Sequence, residues 1–102
     1  MGKLGNAAST SEATLRITVA ALMKACGENQ TKLAKGLRIT QGQVSRKQNG
    51  KAVWSMGDID KLSAHYGVPV PDLLCGPSHA VSKLSPRRLA DMIGGSQEVI
   101  TV

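Results

Sequence analysis

Apolar residues return every three or four positions through most of the chain, the interval at which side chains share one face of an α-helix. Leu15, Val19, Leu22, Met23 and Cys26 form the first such stripe. Ser9 and Glu12 stand at capping-box spacing ahead of it and Gly27 supplies a stop behind it, which predicts a helix over residues 10 to 26. Asn29 can cap a second helix, over residues 30 to 36, that turns Leu33, Ala34 and Leu37 inward. Thr40 can cap a third, over 41 to 49, with Val44 its clearest inward residue and Gly50 its end. Ser55 and Asp58 repeat the capping spacing, and Ile59, Leu62 and Tyr66 make a stripe that closes at Gly67, predicting a helix over 56 to 66. Pro71 suits the first turn of a fifth helix that buries Leu73 and Leu74 before "CGP" ends it. The pattern predicts an all-α fold, a compact five-helix bundle over residues 9 to 76.

The flanks follow other patterns. Residues 1 to 8 are small and polar with no periodicity and read as a disordered arm that carries Lys3. Residues 77 to 102 read as a tail: "SHAVSK" as a linker, "SPRRLADMI" as a short helix capped by Ser85 with Pro86 at its first position, and Gly94-Gly95 as a break. In "SQEVITV" the β-branched residues alternate as in a strand, and nothing else in the chain looks like a partner for it. A strand without a partner pairs elsewhere or frays. Leu89, Met92, Ile93, Val99 and Ile100 are therefore dimerisation candidates. The alternatives are a tail folded back on its own domain, or Arg87 and Arg88 placing it on a polyanion. No repeat of solenoid length occurs.

A length of 102 residues supports one small domain, and composition then narrows the partner. Lys and Arg number 13 against 7 Asp and Glu, and no acid occurs between Glu28 and Asp58. A local positive field of this kind points to a polyanion. Cys26 and Cys75 sit beside apolar residues without metal-ligand spacing and read as reduced core thiols. No apolar run has membrane-spanning length, and "MGKLGNAASTSE" has no secretory apolar region, so the expected location is cytoplasmic. Asn6 stands where a myristoylation signal on Gly2 wants Ser or Thr. His65 and His79 have no neighbour at nucleophile, metal or acid-base spacing, so an enzyme is not expected and no cofactor is implied. Aromatic platforms and glycine-rich clamps for RNA are lacking too.

The order of four segments carries a resemblance: "NQTKLAKGL", then "ITQGQVS", then "QNGK", and after the next helix "HYGVPVPDLL". Residues 29 to 74 resemble the helix-turn-helix domain of the phage repressor, Cro and C1 family, whose fold is lambda-repressor-like. The physical logic agrees. Ala34 is small where the two helices cross, Ile39 and Val44 can close the core between them, and Gln41, Gln43, Ser45 and Arg46 are left pointing away from the protein. An α-helix fits the major groove of B-DNA, where Gln can grip adenine and Arg guanine through paired hydrogen bonds. Residues at the start of the second helix reach base edges in this docking mode, which makes Gln41 the first choice for a base contact. Gln43, Ser45 and Arg46 are the other base-contact candidates. The resemblance implies that Gln30 bonds a phosphate and braces the first glutamine of the recognition helix. Thr40, Asn49 and Lys51 would hold the DNA backbone.

Three residues depart from the family. Arg38 stands where the turn usually has Gly in a left-handed conformation, so the turn is reshaped or strained and Arg38 becomes a phosphate candidate. Lys47 replaces a large apolar residue, and can reach phosphate by laying its methylenes along the surface. Gly42 removes a side chain from a common base-reading position. Trp54 is expected to staple the start of the helix at Ile59. The resemblance implies a transcriptional regulator on double-stranded operator DNA, dimeric at least when bound to its two half-sites. The alternative is an antitoxin or co-regulator whose tail holds a protein partner.

Overall fold

The computed structural model describes residues 10–85, and those residues form six helices and no strand. They are α1 (Thr10–Ala25), α2 (Gln30–Leu37), α3 (Gln41–Gln48), α4 (Met56–Tyr66), α5 (Val70–Leu73) and α6 (Pro77–Ser82). The arm, the Ser9 cap, the tail helix after Ser85, the terminal strand and the five dimerisation candidates lie outside the described residues.

Four of the predicted helices stand within a residue of their expected ends. The expected end at Cys26 falls at Ala25, and Asn49 is the cap of α3 rather than its last turn. Local chemistry accounts for the starts. The Asn29 side chain accepts from the Lys32 amide at 2.8 Å, which satisfies one of the orphan donors of α2. Thr40 and Ser55 each close a full capping box, with Gln43 and Asp58 as the reciprocal partners.

The core is built where the stripes meet. Leu15, Val19 and Leu22 of α1, Leu33, Ala34 and Leu37 of α2, Val44 of α3, and Ile59, Leu62 and Tyr66 of α4 are all buried in one cluster. Burying each of the larger ones stabilises the fold by about 1.5–3 kcal/mol before the entropy of ordering is counted. Thr18 is the fully buried polar residue of α1, and its hydroxyl donates to the Thr14 carbonyl at 2.9 Å. Trp54 is buried ahead of α4, as a staple requires, with its indole N–H donating to Gln48 Oε1 at 2.9 Å.

The structure corrects four expectations. All of "SHAVSK" but its Lys83 cap lies in a helix, α6, which packs along α1 and sets Ala80 and, just beyond it, Leu84 into the core. Pro77 begins that helix at its first position, where a missing N–H costs nothing, so the proline marks a start and not a break. Leu74 is half exposed, because α5 stops at Leu73 and one turn can turn only one of two adjacent leucines inward. Cys75 is exposed, its thiol donating to the Pro71 carbonyl at 3.2 Å, while Cys26 is half-buried. Each histidine has a carboxylate neighbour after all, His65 at 2.7 Å from Glu28 and His79 at 2.7 Å from Asp72. Glu28 lies 37 residues from His65 along the chain, a separation that no local spacing rule detects.

Among the described residues, no helix is long and apolar enough to cross a membrane, and no group of His, Cys, Asp and Glu has the geometry to hold a metal ion.

Candidate nucleic-acid interface

α2 and α3 pack against each other across a connection of three residues, Arg38, Ile39 and Thr40. Arg38 takes φ 61° and ψ 42°, the left-handed conformation, and its N–H caps α2 through the Ala34 and Lys35 carbonyls. The turn thus keeps the shape that glycine would adopt freely, at a cost of about 1–2 kcal/mol for a residue with a Cβ. Ile39 follows, packed against the core.

Thr40 then sets the start of α3. Its hydroxyl oxygen accepts from the Gln43 amide at 3.1 Å, and Gln43 Oε1 accepts from the Thr40 amide at 2.9 Å. The carboxamide oxygen of Gln43 accepts within the capping box, so the group it offers outward is the donor pair of its Nε2 amide. Gln41, exposed at the first position of α3, donates from Nε2 to Gln30 Oε1 at 3.0 Å. The two glutamines start their respective helices, so this bond ties the helix N-termini together on one face. It orients Gln41 before any ligand arrives and leaves the carboxamide oxygen and a second N–H for a base edge.

Farther along α3, Ser45 is half-buried and Arg46 exposed. At the end of the helix the Lys51 amide donates to Asn49 Oδ1 at 3.0 Å and to the Arg46 carbonyl at 2.9 Å, and Gly50 between them takes φ 84°. Lys32, Lys35, Arg38, Arg46 and Lys51 are exposed, with no acid between them in the chain.

Lys47 is placed otherwise than expected for a phosphate contact. Its ammonium donates to Asp58 Oδ2 at 2.7 Å and to the Val53 carbonyl at 3.2 Å, and lies 5.7 Å from the centre of the Trp54 ring. The reason is Asp58: it caps α4 through Ser55 and carries a charge only partly exposed to water, so a cation from α3 completes it. Burial alone would raise the Asp58 pKa, but the hydrogen bonds from Lys47 and Ser55, with the Lys47 charge, outweigh it and hold the carboxyl below its ordinary value.

Two residues escaped the sequence reading. Gln48 anchors the inner side of α3, donating to the Arg16 carbonyl at 3.1 Å while accepting from Trp54. Arg16 of α1 brings its guanidinium against Gly50, 3.7 Å from where a Cβ would stand, and so adds a cation beside Lys51 from another helix. Neither has a signal in local spacing, although a polar residue on the inner face of a short helix invites a search for its partner.

A family model describing the Cro/C1-type HTH DNA-binding domain matches residues 13–75. The chain belongs to that family. No curated protein and no solved structure matches the chain. The family membership makes the chain a DNA-binding regulator, with α2 and α3 as the two helices of the Cro/C1-type motif. The matched span stops before α6, yet α6 supplies part of the core. In this Cro/C1-type domain the position of Lys47 is thus filled by half of an ion pair.

Proposed function

We propose that the chain is a sequence-specific transcriptional regulator, of the repressor or Cro kind, that occupies operator DNA with α3 in the major groove. The observation that carries this reading is the Gln30–Gln41 hydrogen bond, which presents a pre-oriented carboxamide at the exposed start of α3. Gln41 reads a base edge, most naturally adenine, and Arg46 a guanine or an adjoining phosphate. Gln43 and Ser45 contribute less to base readout, since one is tied to the cap and the other half-buried. Gln30, Thr40, Asn49 and Lys51 hold the backbone, joined by Arg16. One short helix reads only a few base pairs, so two copies act on half-sites roughly 34 Å apart, and the tail from Leu89 to Ile100 is the candidate for joining them.

Selection of bound sequences from a random duplex pool, with Gln41→Ala and Arg46→Ala in parallel, tests the reading. A repeated half-site consensus, relaxed at separate positions by the two variants, is expected. Salt-sensitive binding with no enrichment would refute base readout. Removing residues 96 to 102 is expected to give monomers with weaker operator binding, and an unchanged sedimentation profile would remove that role for the terminal segment.

A further inference from the structure

Where the end of α2 meets α4 the surface opens into a groove of about 350 Å³, lined by Gly36, Leu37, Arg38, Lys61, Ala64 and His65. Two of its lining residues, Gly36 and Ala64, are small. Gly36 has no side chain, and the His65 imidazole occupies the space: a Cβ on Gly36 would stand 2.3 Å from the ring carbon Cε1. Glu28 holds the ring there, 2.7 Å from Nε2. Ala64 is the other small wall, and most of the groove surface is apolar.

The rim has the opposite character. Arg38 and Lys61 are both exposed, and neither forms an ion pair or a side-chain hydrogen bond among the described residues. Arg38 also keeps a backbone conformation that favours glycine, with no side-chain hydrogen bond or ion pair among those residues to offset the strain. Strained residues of this kind cluster at ligand clamps and switch regions. An apolar floor between two uncompensated cations is complementary to an anion that carries its own apolar body, and the volume lies in the range of small-ligand sites. A bare phosphate matches the rim and not the floor; an uncharged ring matches the floor and not the rim.

We propose that this groove binds a small organic anion, a carboxylate on an aromatic or short aliphatic frame. Its charge lies between Arg38 and Lys61 and its body rests on Ala64 and the face of the His65 ring. The proposal does not depend on which DNA sequence is read. A ligand there bears on the turn that leads into Thr40 and Gln41, so occupancy reaches the start of α3 through the backbone.

Amide chemical shifts of the full-length ¹⁵N-labelled chain, titrated at constant ionic strength with 4-fluorobenzoate, fluorobenzene and inorganic phosphate, test it. Saturable shifts at residues 36 to 38 and at Ala64 and His65 are expected with 4-fluorobenzoate. Binding of the other two probes is expected to be weaker by about tenfold, the loss that follows from removing one favourable contact class worth ~1.4 kcal/mol. Lys61→Gln and Arg38→Gln, each with an otherwise unchanged spectrum, are each expected to weaken 4-fluorobenzoate by about threefold, as an exposed ion pair does. Absence of saturable shifts with 4-fluorobenzoate would overturn the proposal. So would phosphate that shifts the same amides as strongly, or a DNA duplex that displaces the benzoate from both cations, since the groove rim would then serve the DNA backbone.

Discussion

Replacing Asp58 by Asn keeps the shape of the side chain and removes its charge, which isolates what the Lys47 pair contributes. In the wild type Asp58 Oδ2 accepts from Lys47 Nζ at 2.7 Å and from the Ser55 amide at 2.8 Å. An asparagine oxygen can still accept one of these bonds, so the cap weakens without vanishing. The larger loss is at Lys47, whose side chain is only 17% exposed and would keep its charge without a counter-ion. A hydrogen bond between charged groups contributes about 1.5–3 kcal/mol, and a fully buried pair broken on one side costs about 3–5 kcal/mol. With partial exposure we expect about 1.5–3 kcal/mol for Asp58→Asn, read as a lower urea midpoint at unchanged slope. Lys47→Met in the same chain should recover at least about 1 kcal/mol of that loss, since it removes the stranded charge. A loss below about 0.5 kcal/mol, the size of an ordinary surface substitution, would refute the assignment of Lys47 to the fold. The pH profile provides a second reading. The folded-state pKa of Asp58 is depressed, so its contribution is complete above the unfolded value, about 3.9, and is lost as the pH falls below that value and through the folded one. The stability difference between wild type and Asp58→Asn should therefore be flat near neutrality and shrink in acid.

Two glycine substitutions are expected to act with opposite signs. Gly42→Ala should raise stability by about 1 kcal/mol, because a Cβ there meets nothing nearer than Thr40 Oγ1 at 3.9 Å; a lower melting temperature would refute this. Gly36→Ala drives a Cβ to 2.3 Å from His65, which Glu28 holds in place, and overpacking of that kind costs about 1–3 kcal/mol by urea unfolding. Arg38→Gly relieves about 1–2 kcal/mol of left-handed strain and gives back about 0.4–1 kcal/mol through the freer unfolded chain, so the melting temperature should hold or rise slightly. Log–log plots of DNA affinity against salt should be linear with a slope of about −0.9 per phosphate neutralised, and Lys51→Ala should reduce the slope by about 1.

The local parts of the fold were legible because their causes are local. Asn29, Thr40 and Ser55 cap helices through atoms three residues away, and the stripes of Leu33 with Leu37 and of Ile59 with Leu62 and Tyr66 repeat at helical spacing. α6 was missed because its six residues hold a single buried position, Ala80, and too few apolar residues to make a stripe. Its place is set by α1, far away in sequence, against which it packs. At the interface the type and order of residues in α3 marked Gln41 and Arg46 as outward, while the destinations of the long polar side chains could not be read from spacing.

The sequence by itself determined helices α1 to α5, the caps of α2, α3 and α4, the helix-turn-helix order and the basic stretch without an acid, because propensity, capping and periodicity act within a few residues. The tertiary structure alone decided that Lys47 turns inward to Asp58, that Gln48 bridges Trp54 and Arg16, and that His65 fills the space above Gly36. Each of those depends on which groups from other elements are brought into contact, and flexible polar side chains are directed by such partners more than by the residues beside them in the chain.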